Sequence, residues 1–371
     1  MKQSPHTFSA VYARLLAALS FAALLSACQQ SSLEDQDNCA PQGVLDVVCG
    51  FESPEDLVLL PDHSGLLVSE FGLPDSEAGQ ISLLDGATRS RRVLYSAASS
   101  NDLRMRNPIW GDPSCSEPET FSPHGIDLYK RGTRWQLLAV NHAGRESVEM
   151  FELQKRDGQW QLIWQGCVEA DDDSSFNDVA GVHGGFLVSR MMSRDAGMGV
   201  VFDYFLSRPT GLVLHWSLQH GFQPVDGSEG SMPNGLQISS NENIMYLNMY
   251  AGKELRVLER STGNVVQSIA VKGADNSNWD LQDPGKLLVT THTMSLFGML
   301  GCISSADGNC PVPLTVYELD TESGTMRSLL ALDGDYFGAG TAAVRMGDQL
   351  FVGSFAGHRV LIAPLGYGVS Q

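Results

Sequence analysis

The stretch NGLQISSNENIMYLNMYAG (residues 234–252) begins with a carboxamide side chain and continues as two runs of alternating apolar and polar residues. The stretch DLVLLPDHSGLLVSEFG (residues 56–72), which follows Glu55, has the same form. Alternation with a period of two is typical of half-buried antiparallel β-strands. Each stretch therefore predicts two adjacent strands, the first of which starts at an oxygen-bearing side chain.

Comparable strand starts recur along the whole chain, 41 to 69 residues apart. The six starts are Glu55/Asp56, His124/Gly125, Asn177/Asp178, Asn234/Gly235, Asp275/Asn276 and Gly340/Thr341. These intervals suit four-stranded units with loops of varying length. Small sheets of this kind bury their faces against one another when they are arranged around an axis. The sequence therefore predicts an all-β fold, a six-bladed β-propeller whose innermost strands start near a central channel.

Composition is consistent with this fold class. The chain of 371 residues contains 38 glycines and 16 prolines and shows no long run of helical periodicity after its N-terminal segment, which favours short strands and turns with one or two short helices. The last alternating run, QLFVGSFAGHRVLIAPL (residues 349–365), ends close to the C-terminus, and no cysteine follows Cys310. Closure of the ring must then depend on pairing between terminal strands or on packing.

The N-terminal segment reads as a targeting signal. Lys2 and Arg14 precede the apolar run LLAALSFAALL, which is too short for a comfortable membrane span, and LLSAC ending at Cys28 resembles the bacterial lipobox. We expect a signal peptide at 1–27, a lipidated N-terminus and linker at 28–45, and a propeller domain at 46–371. Gln29 after the cysteine favours an outer-membrane lipoprotein of the bacterial cell envelope, facing the periplasm or the exterior. An ordinary signal peptide with an incidental cysteine is the alternative.

The chain is strongly acidic. Its formal net charge is −19, and removal of residues 1–27, which carry two cations and no anions, leaves −21. Such a charge disfavours nucleic acid as a partner. It suits solubility outside the cytoplasm and, as a second interpretation, attraction of cations.

The cysteines indicate disulfides. Apart from Cys28, the sequence contains an even number of them, Cys39, Cys49, Cys115, Cys167, Cys302 and Cys310. In an oxidising compartment three disulfides are expected. Spacing favours Cys302 with Cys310 and Cys39 with Cys49, which leaves Cys115 to pair with Cys167, although six cysteines allow 15 connectivities.

Carboxylates and carboxamides at the starts of the inner strands would converge in the central channel. Several hard oxygen ligands in one place, without a cluster of thiolates or imidazoles, favour calcium over zinc. The alternative for each pair is a turn, above all for Asn234-Gly235, because Asn-Gly is the strongest hairpin dipeptide.

The sequence also resembles a known family. The run FSPHGIDLYKRGTRWQLLAVNHAGRESVEMFELQK (residues 121–155) closely resembles the serum paraoxonases and arylesterases. Other family motifs match in the same order at PEDLVLLP (54–61), FNDVAGV (176–182), NGLQIS (234–239) and DNSNWD (275–280). The resemblance covers most of residues 50–365. It implies a six-bladed propeller with two calcium ions in its central tunnel, one catalytic and one structural.

The resemblance also implies roles for individual residues. The ligands of the exposed, catalytic calcium would be Glu55, Asn177, Asn234, Asp275 and Asn276. The deeper, structural calcium would be held by Asp56, Asp178 and the backbone carbonyl of Ile126. His124 and His142 correspond to the histidine pair that activates water, and His292 to a histidine of the substrate pocket. The plainer alternative is that these histidines only pack beside the tunnel.

Two departures from the family pattern concern the surroundings of the site. Where paraoxonases carry Asn-Asp-His-Tyr-Phe after the third-blade motif, this chain reads FLVSRMMSRDAG (residues 186–197), with Arg190 and methionines instead. The family's disulfide between terminal strands cannot form, because the C-terminus has no cysteine. Two segments rich in Met, Phe and Leu, 195–216 and 294–310, are expected to form walls of the pocket.

These features favour a calcium-dependent hydrolase whose small-molecule substrates are lactones or aryl esters. In such an enzyme calcium polarises the substrate carbonyl, and a histidine pair activates the attacking water. Two alternatives are a gluconolactonase-like sugar lactonase and a non-catalytic, surface-anchored propeller that binds calcium and a ligand or protein. The sequence does not indicate an oligomeric state.

Overall fold

A computed structural model describes residues 39–72, 78–98, 110–170, 173–197, 199–295, 302 and 309–369. The chain divides into two compact units, Met1–Ala40 and Pro41–Gln371. The predicted signal peptide and Cys28 lie outside the described residues, and the fold is that of the second unit. Among the described residues, no helix is both long and apolar enough to cross a membrane.

Six four-stranded antiparallel sheets make up the second unit. The first strand, β1 (Asp46–Cys49), belongs to the last sheet. Blade 1 contains β2 (Pro54–Leu59), β3 (Gly65–Glu70), β4 (Gln80–Asp85) and β5 (Arg91–Ser96). Blade 2 contains β6 (Pro123–Arg131), β7 (Arg134–Asn141), β8 (Ser147–Arg156) and β9 (Gln159–Glu169). Blade 3 contains β10 (Ser174–Val182), β11 (Gly185–Ser193), β12 (Leu212–Ser217) and β13 (Gly221–Pro224).

The second half of the ring repeats this plan. Blade 4 contains β14 (Pro233–Ile238), β15 (Ile244–Met249), β16 (Glu254–Glu259) and β17 (Val265–Ala270). Blade 5 contains β18 (Ala274–Trp279), β19 (Lys286–His292), β20 (Leu314–Asp320) and β21 (Met326–Leu332). Blade 6 contains β22 (Gly340–Met346), β23 (Gln349–Ser354) and β24 (Arg359–Pro364). The predicted six-bladed β-propeller is confirmed, and a short helix, α1 (Gly199–Leu206), lies between β11 and β12.

The ring is closed by its terminal strands. Strand β1 pairs antiparallel with β24, from Asp46 opposite Ile362 to Cys49 opposite Arg359, and supplies the fourth strand of blade 6. Of the two modes that the sequence left open, strand pairing therefore contributes directly. Blades 5 and 6 also share an apolar core that includes Leu45 of the arm before β1.

Each innermost strand contains a β-bulge at or next to the pair of residues that marks its start. In blade 4, Pro233 lies opposite Met249 and Leu236 opposite Leu247, so that Asn234 and Gly235 together oppose Asn248. The innermost strands of the other five blades also carry one extra residue relative to their neighbours at this point. A bulge re-aims side chains and increases the local twist. The pair Asn234-Gly235 thus lies within a strand and not in a hairpin turn.

Neighbouring innermost strands are joined by bonds from a side chain of one strand to the backbone of another. The six junctions are Asp56 Oδ2 with Ile126 N (2.8 Å), Asp127 Oδ2 with Gly181 N (2.7 Å), Asp178 Oδ2 with Leu236 N (2.7 Å), Gln237 Nε2 with Ser277 O (2.9 Å), Asn278 Nδ2 with Ala343 O (3.3 Å) and Thr341 Oγ1 with Glu55 O (2.5 Å). Because every junction is bonded, the starts of the inner strands are fixed relative to one another.

Disulfides join Cys115 to Cys167 and Cys302 to Cys310, the two pairs that spacing and elimination predicted. Cys39 and Cys49 each take part in a disulfide as well. The Cys115–Cys167 bond attaches the segment before blade 2 to the outermost strand of that blade, β9.

Candidate functional site

The polar residues at the inner strand starts meet at one end of the tunnel. Asn276 Nδ2 donates to Glu55 Oε1 over 2.9 Å, and Nε2 of His124 lies 3.5 Å from the same oxygen. The side chain of Asn234 hydrogen-bonds to Asp275. Although these residues come from blades 1, 2, 4 and 5, their side chains form one cluster, because the bulges direct them into the channel.

Three oxygens of this cluster are buried and have no hydrogen-bond partner among the described residues, and the same holds for one oxygen of Asn177, whose backbone in blade 3 lies close to Gly125 beside His124. They are Glu55 Oε2, Asn177 Oδ1, Asn234 Oδ1 and Asn276 Oδ1. A buried polar atom without a partner costs roughly 1–3 kcal/mol, so four such atoms are not expected unless a ligand satisfies them. Carboxylate and carboxamide oxygens are the donors that calcium prefers. The residues therefore fit calcium, and all four belong to the ligand set that the resemblance implied for the exposed ion.

Asp56 and Asp178, the second members of their pairs, are more completely hydrogen-bonded. Asp56 Oδ1 accepts from the backbone N of Leu57 over 2.8 Å, in addition to the bond from Ile126. Asp178 Oδ1 accepts from the backbone N of Val179 over 2.7 Å, in addition to the bond from Leu236. These bonds hold two buried carboxyl groups at the inner face of the tunnel.

Burial and neighbouring negative charges shift the pKa values of the buried aspartates near the channel. Burial, and next to it the charge of Glu55, raises the pKa of Asp56 and of Asp275 well above the usual range. Burial followed by the charge of Asp56 does the same to the pKa of Asp178. A cation bound among these carboxylates would oppose both effects, because it favours the ionised form.

Glycine is required at two of the six bulges by the closeness of the neighbouring blade. A Cβ added at Gly125 would lie 2.6 Å from Asn177 O, and one added at Gly235 would lie 2.4 Å from Asp275 O. These distances are far below van der Waals contact. The pairs in blades 2 and 4 therefore end in glycine so that the polar pair of the next blade can approach the channel.

His124 is the first member of a hydrogen-bonded chain. Its Nδ1 lies 2.8 Å from His142 Nε2, and His142 Nδ1 lies 2.9 Å from Glu146 Oε2. Phe71 contacts both rings edge-on, with centroid distances of 5.3 and 5.6 Å. About a fifth of each histidine side chain is exposed, so the pair lies at the mouth of the tunnel and not within the core.

The charge of His124 depends on the carboxylates beside it. Burial alone would lower its pKa, but Glu55 and, more weakly, Asp275 and Asp56 outweigh burial and raise the pKa. A cation held by Glu55 and Asp275 would offset these negative charges, so we expect the neutral imidazole in the loaded site.

His292 is almost completely buried beside Asp275. Its Nδ1 lies 3.1 Å from Gly340 O and 3.3 Å from Asp275 Oδ2, and its ring packs against Tyr250 and Phe355. Burial lowers its pKa to about 4, so the ring is neutral near pH 7. The structure thus places His292 in the wall next to a predicted calcium ligand.

Sequence reasoning missed Glu146. The available signal was a carboxylate four residues after His142 in the short turn NHAGRE, but such a residue also reads as an ordinary turn residue. In the region that departs from the family pattern, Arg194 lies 3.8 Å from Glu146, and Met191 Sδ lies 3.7 Å from Asn177 Nδ2. Blade 3 therefore supplies a methionine and an arginine to the surroundings of the site.

Helix α1 forms part of the predicted wall 195–216. Tyr204 packs against Tyr250 with a centroid distance of 5.8 Å, and its hydroxyl donates to Met294 O over 2.9 Å. Phe202 and Phe205 are exposed on the helix. Most of the second predicted wall, 294–310, lies outside the described residues.

The comparison of the sequence with known families agrees with this fold and points to the esterase class. The family model for arylesterases matches residues 53–365, and the chain belongs to this family. No match was found among curated proteins.

Solved structures are similar to this chain at low sequence identity. A luciferin-regenerating enzyme is 14% identical with a TM-score of 0.50, covering 87% of this chain and 96% of its own. Regucalcin from Agrobacterium tumefaciens strain C58, described as a calcium-binding protein, is 12% identical with a TM-score of 0.46, covering 85% and 91%. The likeness to the luciferin-regenerating enzyme concerns the fold alone.

Proposed function

We propose that the protein is a calcium-dependent hydrolase of lactones or aryl esters. The observation that carries the proposal is the set of four buried oxygens without hydrogen-bond partners, three of which belong to the cluster beside His124. Membership of the arylesterase family supports the same reaction class. A pocket built only for stability would not require a partly exposed histidine pair beside its oxygens.

Glu55, Asn177, Asn234, Asp275 and Asn276 would hold the catalytic calcium. When bound there, calcium would polarise the substrate carbonyl and stabilise the negative charge that develops on its oxygen. The two carboxylates supply charge, and the three carboxamides supply neutral oxygens. Asp56, Asp178 and the carbonyl of Ile126 would hold a second, structural calcium.

His124 is the proposed general base. Its Nε2 faces the carboxylate cluster, whereas its Nδ1 is engaged with His142, so Nε2 is the nitrogen available to a water molecule at the mouth. A neutral imidazole can remove a proton from that water as the water attacks the carbonyl carbon, and it can return the proton to the leaving oxygen. His142 keeps the His124 ring in the orientation that this transfer requires.

The walls of the mouth favour substrates with apolar groups. Phe71 lies against the histidine pair, and Tyr250 and Phe355 lie against His292. Aromatic faces suit an aryl ester or a lactone with an acyl chain better than a polyhydroxylated sugar lactone. This lining distinguishes the proposal from the gluconolactonase-like alternative.

Hydrolysis of phenyl acetate and of a long-chain acyl lactone by the purified protein tests the proposal. We expect activity in calcium, its loss on chelation and its recovery when calcium is restored. Glu55→Gln should lower kcat/KM at least about 100-fold, because it removes one of the two negative charges that stabilise the ion. The matched control is Glu52→Gln, at an exposed position three residues away, which should leave the rate unchanged.

Absence of hydrolysis in calcium for every ester and lactone would contradict the proposal and favour the non-catalytic alternative. Activity that survives complete chelation would contradict the role of calcium alone. A strong preference for gluconolactone over the acyl lactone would favour the sugar-lactonase alternative.

A further inference from the structure

The turn between β7 and β8, residues 142–146, carries both His142 and Glu146. Its inner side is held by hydrogen bonds with the side chain of Asn141. Asn141 is completely buried at the start of the turn. Asn141 Oδ1 accepts from Ser122 N and Ala143 N over 2.9 and 3.2 Å, and its Nδ2 donates to Ala143 O over 3.1 Å. These contacts fix the path of the turn without any contribution from the side chains of His142 and Glu146.

The outer side of the turn is held by Arg145. Its guanidinium lies 3.0 Å from Glu149 and 2.8 Å from Glu169, and it donates to Ser116 O over 2.5 Å. Ser116 follows Cys115, which is bonded to Cys167 in β9. The backbone at position 146 is therefore anchored on both sides, so the direction of the Glu146 side chain does not depend on its contact with His142.

Both oxygens of Glu146 are engaged. Oε2 lies 2.9 Å from His142 Nδ1, and Oε1 accepts from the backbone N of Phe176 over 2.5 Å. Only 3% of the side chain is exposed. A backbone N–H always donates, and a carboxylate has no hydrogen to give, so Glu146 acts as an acceptor toward both neighbours.

This constraint determines where the protons of the two imidazoles lie. A neutral imidazole has one N–H and one lone pair, so the carboxylate of Glu146 selects the His142 tautomer with its proton on Nδ1. His142 Nε2 is then an acceptor, and the contact of 2.8 Å requires His124 to be protonated on Nδ1. The lone pair of His124 is left on Nε2, which lies 3.5 Å from Glu55 Oε1. Calcium held by Glu55 would offset the charge of that oxygen, so in the loaded protein the closer contact of Glu146 with His142, at 2.9 Å, decides the arrangement.

We propose that Glu146 is a positioning residue that fixes the tautomers of His142 and His124 and thereby gives His124 a free lone pair on Nε2. The inference rests on the proposed function, because it is the hydrolytic reaction that uses this lone pair. In the opposite arrangement a lone pair on His142 Nδ1 would face a carboxylate oxygen at 2.9 Å. Loss of a hydrogen bond to a charged group corresponds to roughly a 10- to 100-fold preference for the proposed arrangement.

Glu146→Gln should reverse this proton arrangement. The amide has one acceptor oxygen for two neighbours, and the backbone N–H of Phe176 cannot change its role, whereas an imidazole can change its tautomer. The amide oxygen is therefore expected to face Phe176, and its NH₂ group to donate to His142 Nδ1. His142 would then donate from Nε2 to His124 Nδ1, and His124 would carry its proton on Nε2 and lose its basic lone pair.

Two measurements on the calcium-loaded protein test the proposal. In ¹⁵N NMR spectra of the wild type, Nδ1 of both histidines should show the shift of a protonated nitrogen and Nε2 that of an unprotonated one, and Glu146→Gln should exchange the two patterns. In phenyl acetate kinetics, Glu146→Gln should lower kcat by about 100-fold or more with little change in KM, since a histidine held in the wrong tautomer costs up to about 10⁴-fold.

The matched control is Glu318→Gln, in blade 5. Glu318 is also buried and charge-paired, but its partner is Arg327 and it has no part in the turn or the histidine chain. This variant should retain the wild-type tautomers and a kcat within about threefold of wild type.

The proposal is overturned if the wild type shows an unprotonated Nδ1 on His142, or if Glu146→Gln retains both the wild-type tautomers and the wild-type kcat. The spectrum of the wild type decides the first point even if the variant does not fold. Failure of the wild type to hydrolyse any ester would overturn the proposed function instead, because the tautomers can still be read from the spectrum.

Discussion

Replacing His124 with glutamine is expected to lower kcat for phenyl acetate by about 10³-fold, the middle of the range for loss of a general base. Glutamine has a similar reach but cannot remove a proton from water near neutral pH. Because His124 lies beside the proposed metal ligands and not among them, calcium affinity should change little. Kinetics at saturating calcium, together with a calcium titration, measure both quantities.

His220→Gln is the control for this experiment, since His220 is exposed in blade 3 and lies outside the site. It should behave as the wild type. A His124→Gln protein that folds, binds calcium and retains kcat within threefold of wild type would show that His124 is not the base.

Removal of calcium is expected to lower the stability of the folded protein and to make it depend on pH. In the calcium-free protein the pKa of Asp56, Asp178 and Asp275 is raised, whereas in the unfolded chain an aspartate has a pKa near 3.9. Between these values the folded state binds more protons than the unfolded state. The free energy of unfolding therefore falls as pH rises from about 4 through the raised folded values.

His292 contributes in the opposite direction over part of this range. Its folded pKa of about 4 lies below the unfolded value near 6.5, so its contribution to stability is lost as pH falls between these two values. Comparison of the wild type with Asp275→Asn measures how much the Asp275 carboxylate contributes to the pH dependence of stability. The variant should show a weaker fall in stability with rising pH than the wild type when calcium is absent.

At pH 8 without calcium, Asp275→Asn should have a higher free energy of unfolding than the wild type. Calcium should reverse this order. An ion that binds only the folded state adds about 4 kcal/mol when its free concentration is 1,000 times Kd, and Asp275→Asn should lose much of that gain. Urea unfolding of the wild type and of Asp275→Asn, each with calcium and with a chelator, measures the free energy of unfolding in these four conditions. Parallel pH profiles for the two calcium-free proteins, or no stabilisation of the wild type by calcium, would contradict a cation site at Asp275.

The strand starts could be predicted from the sequence because each interrupts an alternating apolar run with polar residues. The β-bulges that turn both members of a pair toward the channel could not be predicted, since a bulge is defined by its partner strand. The way in which the ring of blades closes could not be predicted for a similar reason. Strand β1 is only four residues long, Asp46–Cys49, and its partner β24 lies at the other end of the chain.

The sequence indicates a candidate site where the chemistry follows from residue type, and it gives no signal where the role of a residue depends on its position in the fold. Oxygen side chains next to inner strands pointed to a cation, and the family motif pointed to His124 and His142. Glu146 was not predicted, because its role depends on Phe176, which follows it by 30 residues and belongs to another blade. Nor could the sequence show that His292 is buried against Asp275 between two aromatic rings.

A crystal structure of the calcium-loaded protein tests the central claim most directly. We predict an ion at the mouth of the tunnel, with oxygens of Glu55, Asn177, Asn234, Asp275 and Asn276 at about 2.3–2.6 Å, and with His124 close to the ion but not bound to it. An ordered tunnel that contains only water at saturating calcium, or calcium bound only outside the tunnel, would contradict the account.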